Sequence, residues 1–307
     1  MDSANKQDGI IAEVTKGTTP SSPAFLLGRF TNITGSPQRN SVRSPERRPD
    51  RMMNSMVTGL NGFQKTVSGV WSRDAAYDLF LESLLNGAWT TNVLKNASTV
   101  KSFTLEEKYE GGATDPYRRA TGCQVDSLAM SYRIGEAIQC NWAIRHMAET
   151  VATSAIASSS YTAPSPGYDP VSTVDIAVTS MFGISSPKVV GLDMTITNNM
   201  APLYAFGSAN PIDNSLGLFD ISGSLQLYLN TSTDYSTFTT RQTGLTFNIT
   251  LGSVTNFKDK IEMGNVHAFN PDISDPGATG QHIVTIPFSA AYYASDTSAI
   301  KWTRLVA

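Results

Sequence analysis

The sequence has little of what disulfide-stabilised, membrane-spanning or nucleic-acid-binding proteins depend on. Only two of its 307 residues are cysteines, Cys123 and Cys140, which excludes a disulfide scaffold and a four-cysteine zinc site. No apolar run approaches the ~20 residues of a membrane span, and no basic start leads into a signal-peptide-like apolar stretch. Charged residues make up 16% of the chain and the net charge is -3, so the basic stripe of a nucleic-acid binder is missing. We expect a soluble protein made in a cytoplasm.

The residue groupings of the common enzyme classes are missing as well. His146, His267 and His282 are the only histidines, no two lie within ten residues of each other, and none belongs to a zinc-binding HExxH motif. Nucleophile-elbow, P-loop and dinucleotide-binding glycine motifs are absent. Glu106 and Glu107 are adjacent, but strand alternation sends them to opposite faces, where they cannot form a catalytic pair. We predict no enzymatic activity, no metal and no cofactor.

What the sequence does contain is a series of short β-strand signals. In residues 137–146, Cys140 and Trp142 fall on one face while Gln139 and Asn141 fall on the other. Such strands bury one side of an antiparallel sheet and leave the second side polar. Segments of this kind, rich in β-branched and aromatic residues, are residues 102–109, 123–132, 137–146, 191–199, 221–229, 244–251 and 282–293.

One segment has the period of a helix. In residues 72–87, apolar side chains such as Phe80 and Leu84 recur at spacings of three and four. Ser72 can cap the start of this helix and Gly87 can end it. The sequence therefore predicts an all-β fold with one flanking helix.

Length and composition predict how the chain is divided, since about 150 residues per domain gives two domains. Residues 1–9 are polar and are predicted to form a flexible N-terminal arm. Residues 148–185 are rich in Ser, Ala and Pro and are predicted to form a linker. The segments that remain are a first module, 10–147, and a second module, 186–307.

An internal repeat across the predicted linker indicates that the two modules are homologous. Chance matches between β patterns are easy, but six matches in the same order are not. The matched pairs are 30–34 with 194–197, 65–69 with 219–223, 75–80 with 233–238, 102–105 with 246–249, 117–125 with 257–266, and the alternation Cys140/Trp142/Ile144 with Val284/Ile286/Phe288.

A basic insertion at residues 35–53 stands out from the rest of the chain. It contains three prolines and few apolar residues, so we expect a loop that cannot order itself in the free subunit. A solvated mobile loop and a binding loop are equally good interpretations. Its arginines are Arg39, Arg43, Arg47, Arg48 and Arg51.

Several segments together resemble a known family. They are residues 86–112, 117–132, 191–200, 220–230 and 283–293, and the most specific is the W-x-x-N-V-L-K-N run from Trp89 to Asn96. The sequence resembles the tail tube proteins of long-tailed bacteriophages with non-contractile tails, specifically the class with two tube modules. The likeness begins near residue 25 and is weakest in 148–186, and the insertion at 35–53 departs from the family pattern.

The resemblance implies a β-sandwich or half-barrel module with a flanking helix, in rings whose inner strands join into one ring-wide β-barrel. Stacked rings would form the conduit for DNA ejection in the virion. The implied partners are further copies of the chain, a tape measure protein and DNA in the lumen, and the tail terminator and distal tail proteins at the ends. No membrane partner is implied.

Two homologous modules per chain predict rings of three, with hexameric rings as the alternative. We expect a neutral to acidic lumen, because Lys and Arg side chains that bind phosphate strongly would hold the DNA. Strand alternation gives a set of polar side chains that face either the lumen or the outer solvent. The lumen-facing candidates are Thr104, Glu106, Lys108, Thr246, Asn248 and Thr250, and the inter-ring contact candidates are Arg39, Arg43, Arg47, Arg48 and Arg51.

A rival interpretation is a soluble two-module β-sandwich adhesin or tail protein that recognises a receptor or carbohydrate. Clusters of exposed Trp or Tyr in loops would favour it. The four tryptophans, Trp71, Trp89, Trp142 and Trp302, are instead scattered in or beside predicted strands and the helix.

Overall fold

The computed structural model describes residues 5–306 except 112–113, 165–169, 179, 276 and 278–279. The prediction of an all-β fold with a flanking helix is confirmed. In the described residues, no helix is long and apolar enough to cross a membrane.

The first half of the chain contains the longest helix, α1 (Ala75–Leu85), among strands of three to seventeen residues. These strands are β1 (Lys6–Ala12), β2 (Ala24–Leu27), β3 (Phe30–Thr34), β4 (Gln38–Arg43), β5 (Met56–Gly62), β6 (Gln64–Val70), β7 (Val93–Lys95), β8 (Phe103–Tyr109), β9 (Tyr117–Arg133), β10 (Gln139–Arg145), β11 (Ala148–Ala152) and β12 (Ser160–Thr162).

The second half has the same character, with a short helix α2 (Thr233–Ser236) and single 3-10 turns at Thr173–Asp175 and Thr237–Thr239. Its strands are β13 (Ile176–Ala177), β14 (Ser180–Met181), β15 (Ile184–Ser185), β16 (Val189–Thr197), β17 (Ala201–Leu203), β18 (Asp213–Ser215), β19 (Asp220–Tyr228), β20 (Gln242–Leu251), β21 (Lys258–Ala268), β22 (Asp272–Ser274), β23 (Ile283–Ala290) and β24 (Lys301–Val306).

One antiparallel sheet runs through both halves of the chain, and we call it the continuous sheet. Its strand order is β3-β6-β10-β9-β16-β19-β23-β21. The halves meet where Ser127–Arg133 of β9 pairs with Gly191–Thr197 of β16. Backbone hydrogen bonds therefore connect the two halves as firmly as they connect neighbouring strands within each half.

A second layer packs against the continuous sheet in each half. In the first half it contains β2, β1, β8 and β11, and in the second half β20, β24 and β7. The long strands β9 and β21 belong to both layers, because each begins in the second layer and ends in the continuous sheet. Each half is thus a folded-over sheet whose two layers share one strand.

The repeat read from the sequence corresponds to the same elements in both halves. Its six pairs are β3 with β16, β6 with β19, α1 with α2 and its following turn, β8 with β20, β9 with β21, and β10 with β23. The register also repeats, since Ile33 lies opposite Val67 in the first half and Ile196 lies opposite Ile221 in the second.

One match in the repeat needs a correction of register. Cys140 lies opposite Gly69, and the equivalent Gly223 lies opposite Phe288. Cys140 therefore corresponds to Phe288, four residues beyond the Val284 chosen from the sequence. A strand that alternates regularly matches itself at every second residue, so its pattern alone does not define the register.

Helix α1 is shorter than predicted and has different caps. Ser72 is buried in an extended segment that bridges to Pro170, so the Asp74 carboxylate caps the helix by accepting a hydrogen bond from Ala76 N at 3.4 Å. Asn86, rather than Gly87, adopts the left-handed conformation that ends the helix, with a φ of 48°.

The helix lies in the core between the two layers of the first half. The Phe80 ring is 5.1 Å from Phe103 of the second layer and 5.3 Å from Trp142 of the continuous sheet, centroid to centroid. The helix face that contains Phe80 and Leu84 is therefore buried on both sides, and both of these side chains are fully buried.

The most family-specific segment, Trp89 to Asn96, joins the two halves. Strand β7 within it pairs with β24 of the second half. The Asn96 side-chain oxygen accepts a hydrogen bond from Ala299 N at 2.9 Å, and the Arg304 guanidinium lies 4.4 Å from the Trp89 ring centroid. The two halves therefore share a second-layer sheet as well as the continuous sheet.

Two segments predicted to be flexible are strands where the structure describes them. Residues 6–9 of the predicted arm belong to β1, which pairs with β8 along its length; residues 1–4 lie outside the described residues. In the predicted linker, 148–185, β11 pairs with β9 and β12 pairs with β2. Polar composition did not reveal these strands, because backbone pairing with neighbouring strands holds them in place with few apolar side chains.

Candidate functional site

The continuous sheet has one buried face and one face open to solvent, and we call the latter the open face. Along β10, Cys140, Trp142 and Ile144 are buried, whereas Gln139 and Asn141 are exposed. A single row of mutually registered residues crosses the open face from edge to edge. This row is Asn32, Ser68, Asn141, Ala129, Thr195, Ser222, Ser289 and His267.

Charges on the open face are few and mostly paired. Arg133 Nη2 lies 2.7 Å from Asp193 Oδ2, and Arg145 Nε lies 2.8 Å from Asp126 Oδ2. Short hydroxyl and amide side chains fill much of the remaining surface, as in the hydrogen bond from Ser68 Oγ to Asn141 Oδ1 at 2.7 Å. Such a surface contains few cations that could hold a phosphate backbone.

Two of the residues predicted to face the lumen lie inside the folded chain, which corrects that prediction for Thr104 and Glu106. Thr104 and Glu106 belong to β8 of the second layer and are buried, with 0% and 1% exposure. Thr104 Oγ1 donates to Glu13 Oε1 at 2.9 Å. Glu106 accepts hydrogen bonds from Arg119 Nε at 2.5 Å and from the Tyr161 hydroxyl at 2.6 Å. Segments distant in sequence cover this face of β8, so its polar side chains are internal.

The other lumen candidates lie on the second layer, away from the open face. Lys108 is half-buried and its Nζ lies 2.6 Å from Glu110 Oε1. Thr246, Asn248 and Thr250 alternate with buried residues along β20 and reach solvent to different degrees. That Lys108, Thr246, Asn248 and Thr250 face a lumen stays a prediction. The alternation of apolar and polar residues along β10 could have predicted the open face. Alternation alone, however, does not show to which of the two layers a strand belongs.

A buried ion network fills one end of the core in the first half. Lys65 Nζ contacts the carboxylates of Glu107 and Glu149, the latter at 2.9 Å, and Arg118 Nη2 lies 3.0 Å from Glu149 Oε1. Burial opposes ionisation of Glu149, yet the nearby His146, whose Nε2 lies 3.6 Å from the carboxylate, and the cations of Lys65 and Arg118 lower its pKa to about 2. Because the pKa of Glu149 is lower in the folded protein than in the unfolded chain, its ionised carboxylate stabilises the fold. This contribution is complete above the ordinary carboxyl pKa and is lost as the pH falls toward 2.

The arginine-rich insertion is a β-hairpin, which corrects the expectation of an unstructured loop. Strands β4 and β5 pair with each other and are separate from the continuous sheet. Arg39, Arg43, Arg47 and Arg51 are exposed. Arg48 Nη2 pairs with Asp50 Oδ2 at 2.7 Å, so one arginine of the cluster is paired within the hairpin.

The second half has a hairpin at the equivalent position. β17 and β18 pair between β16 and β19, as β4 and β5 pair between β3 and β6. The two hairpins touch: Asn61 Nδ2 donates to Asn210 Oδ1 at 2.7 Å, and the Tyr204 hydroxyl donates to Asn61 O at 2.7 Å. Phe206 in the second hairpin is fully exposed.

The fold is thus a long sheet of two equivalent halves, apolar on one side and polar with few unpaired charges on the other. The sequence profile of the family described as phage tail tube protein matches residues 3–290. The chain therefore belongs to the phage tail tube protein family and is a structural component of the virion tail. No curated protein matches the chain. The resemblance to phage tail tube proteins seen in the sequence is confirmed.

The burial of Glu106 generates the first prediction. Glu106→Lys places a cation beside Arg119 in the core, and we expect it to lower the free energy of unfolding by about 3 to 5 kcal/mol. Urea unfolding measures the loss. Glu136→Lys is the matched control, since Glu136 is exposed and the same charge change there should have little effect. Equal stability of the two variants would show that Glu106 faces solvent.

Proposed function

We propose that three copies of this chain form a ring, that the rings stack into the tail tube, and that the open face lines the lumen through which DNA is ejected. The observation that supports this most directly is the continuous sheet, whose two halves pair edge to edge through β9 and β16. The contact between the two halves of one chain is thus of the same kind as the contact that would join neighbouring chains in the ring.

The repeat supports three chains per ring. The continuous sheet has eight strands in the part of the chain that the structure describes, four from each half. Three copies supply twenty-four strands, which at the usual strand spacing and tilt close a barrel about 48 Å across between backbones. The division into modules at 10–147 and 186–307 belongs to this proposal.

The chemistry of the open face supports a conduit. Each Lys or Arg that binds a phosphate releases counterions and strengthens the grip on DNA. Arg133 and Arg145 on this face are paired with Asp193 and Asp126, so little net positive charge faces the lumen. In this proposal the same surface holds the tape measure protein before ejection.

The two hairpins support stacking. Both connect the first two strands of their half, and they contact each other, so a ring of three presents six of them together. The exposed arginines of β4 and of the connection between β4 and β5 are proposed to contact the neighbouring ring. At the tube ends the same surfaces would meet the tail terminator and distal tail proteins.

The stoichiometry of the ring tests the proposal. Native mass spectrometry of assembled rings, and symmetry in electron micrographs of tubes, should both give three chains per ring with pseudo-sixfold features. A ring of six chains would exclude the duplication argument. A chain that forms neither rings nor tubes at high concentration would contradict the tube-forming role itself.

A lysine substitution tests which layer lines the lumen. Asn141→Lys adds three cations to each ring on the open face, and we expect phage with this variant to eject DNA several-fold more slowly at low salt, because phosphates bind the wall. Added salt should restore the rate. Asn248→Lys, the same change on the second layer, is the control and should eject normally. The reverse result would place β20 at the lumen.

Removing charge from the hairpin tests its role in stacking. Arg39→Gln, Arg43→Gln and Arg47→Gln together should leave folded subunits whose tubes are shorter and dissociate at lower salt, because each exposed pair contributes only about 0.2 to 1 kcal/mol. The control variant neutralises Lys101, Lys188 and Lys258 outside the hairpin. Tubes of normal length and salt resistance in the hairpin variant would contradict a stacking role.

A further inference from the structure

The junction inside the chain predicts the geometry of the junction between chains. Within the chain, Ala129 of β9 lies opposite Thr195 of β16. Thr195 pairs with Ser222 in the second half as Asn32 pairs with Ser68 in the first. Asn32 of β3 is therefore the structural equivalent of Thr195.

The other side of the junction has an equivalent too. Ala129 lies opposite Asn141 of β10, and His267 of β21 lies opposite Ser289 of β23. Asn141 and Ser289 are equivalent because they lie opposite the matching serines Ser68 and Ser222. His267 is therefore the equivalent of Ala129, and the internal junction predicts that His267 lies opposite Asn32 of a second copy.

The two sheet edges that would meet differ in the single chain, because one is unpaired and the other is already paired. Among the described strands, β3 pairs with β6 only, so its outer edge is open. The matching position on β21 is occupied, because Gln242 and Leu245 at the start of β20 lie opposite Ala268 and Val266. These first residues of β20, 242–245, are called the edge cap.

The edge cap has no counterpart in the first half. There β8 begins at Phe103, opposite Cys123, and β9 beyond that point is paired with β16 of the second half. In the second half, the edge of β21 at this position pairs with the start of β20. In the first half, the equivalent edge of β9 pairs instead with β16 of the second half. The edge cap and a strand from another half therefore compete for the same kind of backbone edge.

The edge cap is held by irregular pairing. Two register shifts fall between Gln242 and Phe247, Gly244 has a φ of +71°, and Thr243 and Thr246 are exposed. Each irregularity interrupts the ladder of backbone hydrogen bonds. Strand β3 pairs with β6 without a register shift from Asn32 to Thr34, so this part of it can form a more complete ladder at this site.

We propose that ring closure pairs β3 of one copy with β21 of the next, with Asn32 opposite His267, and that β3 displaces the edge cap that covers this site in the free chain. The proposal rests on the ring-forming function proposed above. It names the partner as a second copy of this chain and gives the register of the contact.

Engineered disulfides test the register. Residues directly opposite in an antiparallel pair have Cα atoms about 4.5 to 5.5 Å apart, within reach of a disulfide. Tubes of Asn32→Cys/His267→Cys should therefore yield covalent multimers of up to three chains on oxidation. Thr34→Cys/Asn265→Cys tests the same register at a second position. The native Cys123 and Cys140 are buried and give little background.

Two control pairs frame this result. Thr34→Cys/His267→Cys is displaced by two residues and should give few multimers. Ala129→Cys/Thr195→Cys reproduces the internal junction and should form a bond within one chain. Tubes that form normally but give multimers with the displaced pair, or with neither matched pair, would overturn the register.

A reversible lock tests the edge cap. Gln242→Cys/Ala268→Cys joins the cap to β21, and the oxidised protein should remain monomeric while the reduced protein forms tubes. Circular dichroism and the unfolding midpoint show that both forms are folded. If the oxidised protein assembles as fast as the reduced one, displacement of the cap is excluded. Failure of the unmodified chain to form rings would contradict the proposed function instead.

Discussion

Backbone pairing between β9 and β16 is the interaction on which the rest of the structure depends. It makes one sheet of two halves, and it fixes the register of both halves at once because a slip of one residue would turn the apolar side chains of β16 outward. Leu128 and Ile196 face each other across this junction and both are fully buried. The cost of such a slip therefore extends to the core of both halves.

The shared strands explain how a flat surface and a closed core coexist. β9 and β21 each begin in the second layer and end in the continuous sheet, where one face is open. Gly122, with a φ of +65°, lies in β9 before it leaves the second layer. The first part of such a strand can therefore pack in the second layer, while its last part contributes side chains to the exposed polar face.

The sequence was sufficient for the strands, the helix and the repeat, because each leaves a local periodic signal. It was insufficient for the layer to which a strand belongs, since β8 and β10 alternate alike and only tertiary contacts bury Glu106 while leaving Asn141 exposed. The arginine-rich insertion was predicted to be unstructured from its three prolines and few apolar residues. Its strands pair with each other through backbone hydrogen bonds, for which Val42 opposite Val57 is a suitable side-chain pair.

An assembling subunit has to satisfy two opposed demands at its sheet edges. An open edge promotes association with any strand, whereas an edge sealed by regular pairing cannot join a neighbour. Here β3 is a strand of only five residues, and the edge of β21 is covered by an irregular segment of its own chain. In the proposed ring, the β3 of another copy offers the covered edge a better ladder than the edge cap does, because β3 is in unbroken register from Asn32 to Thr34. On that proposal the irregularity at the start of β20 favours ordered growth, because a perfect strand there would compete with the ring itself.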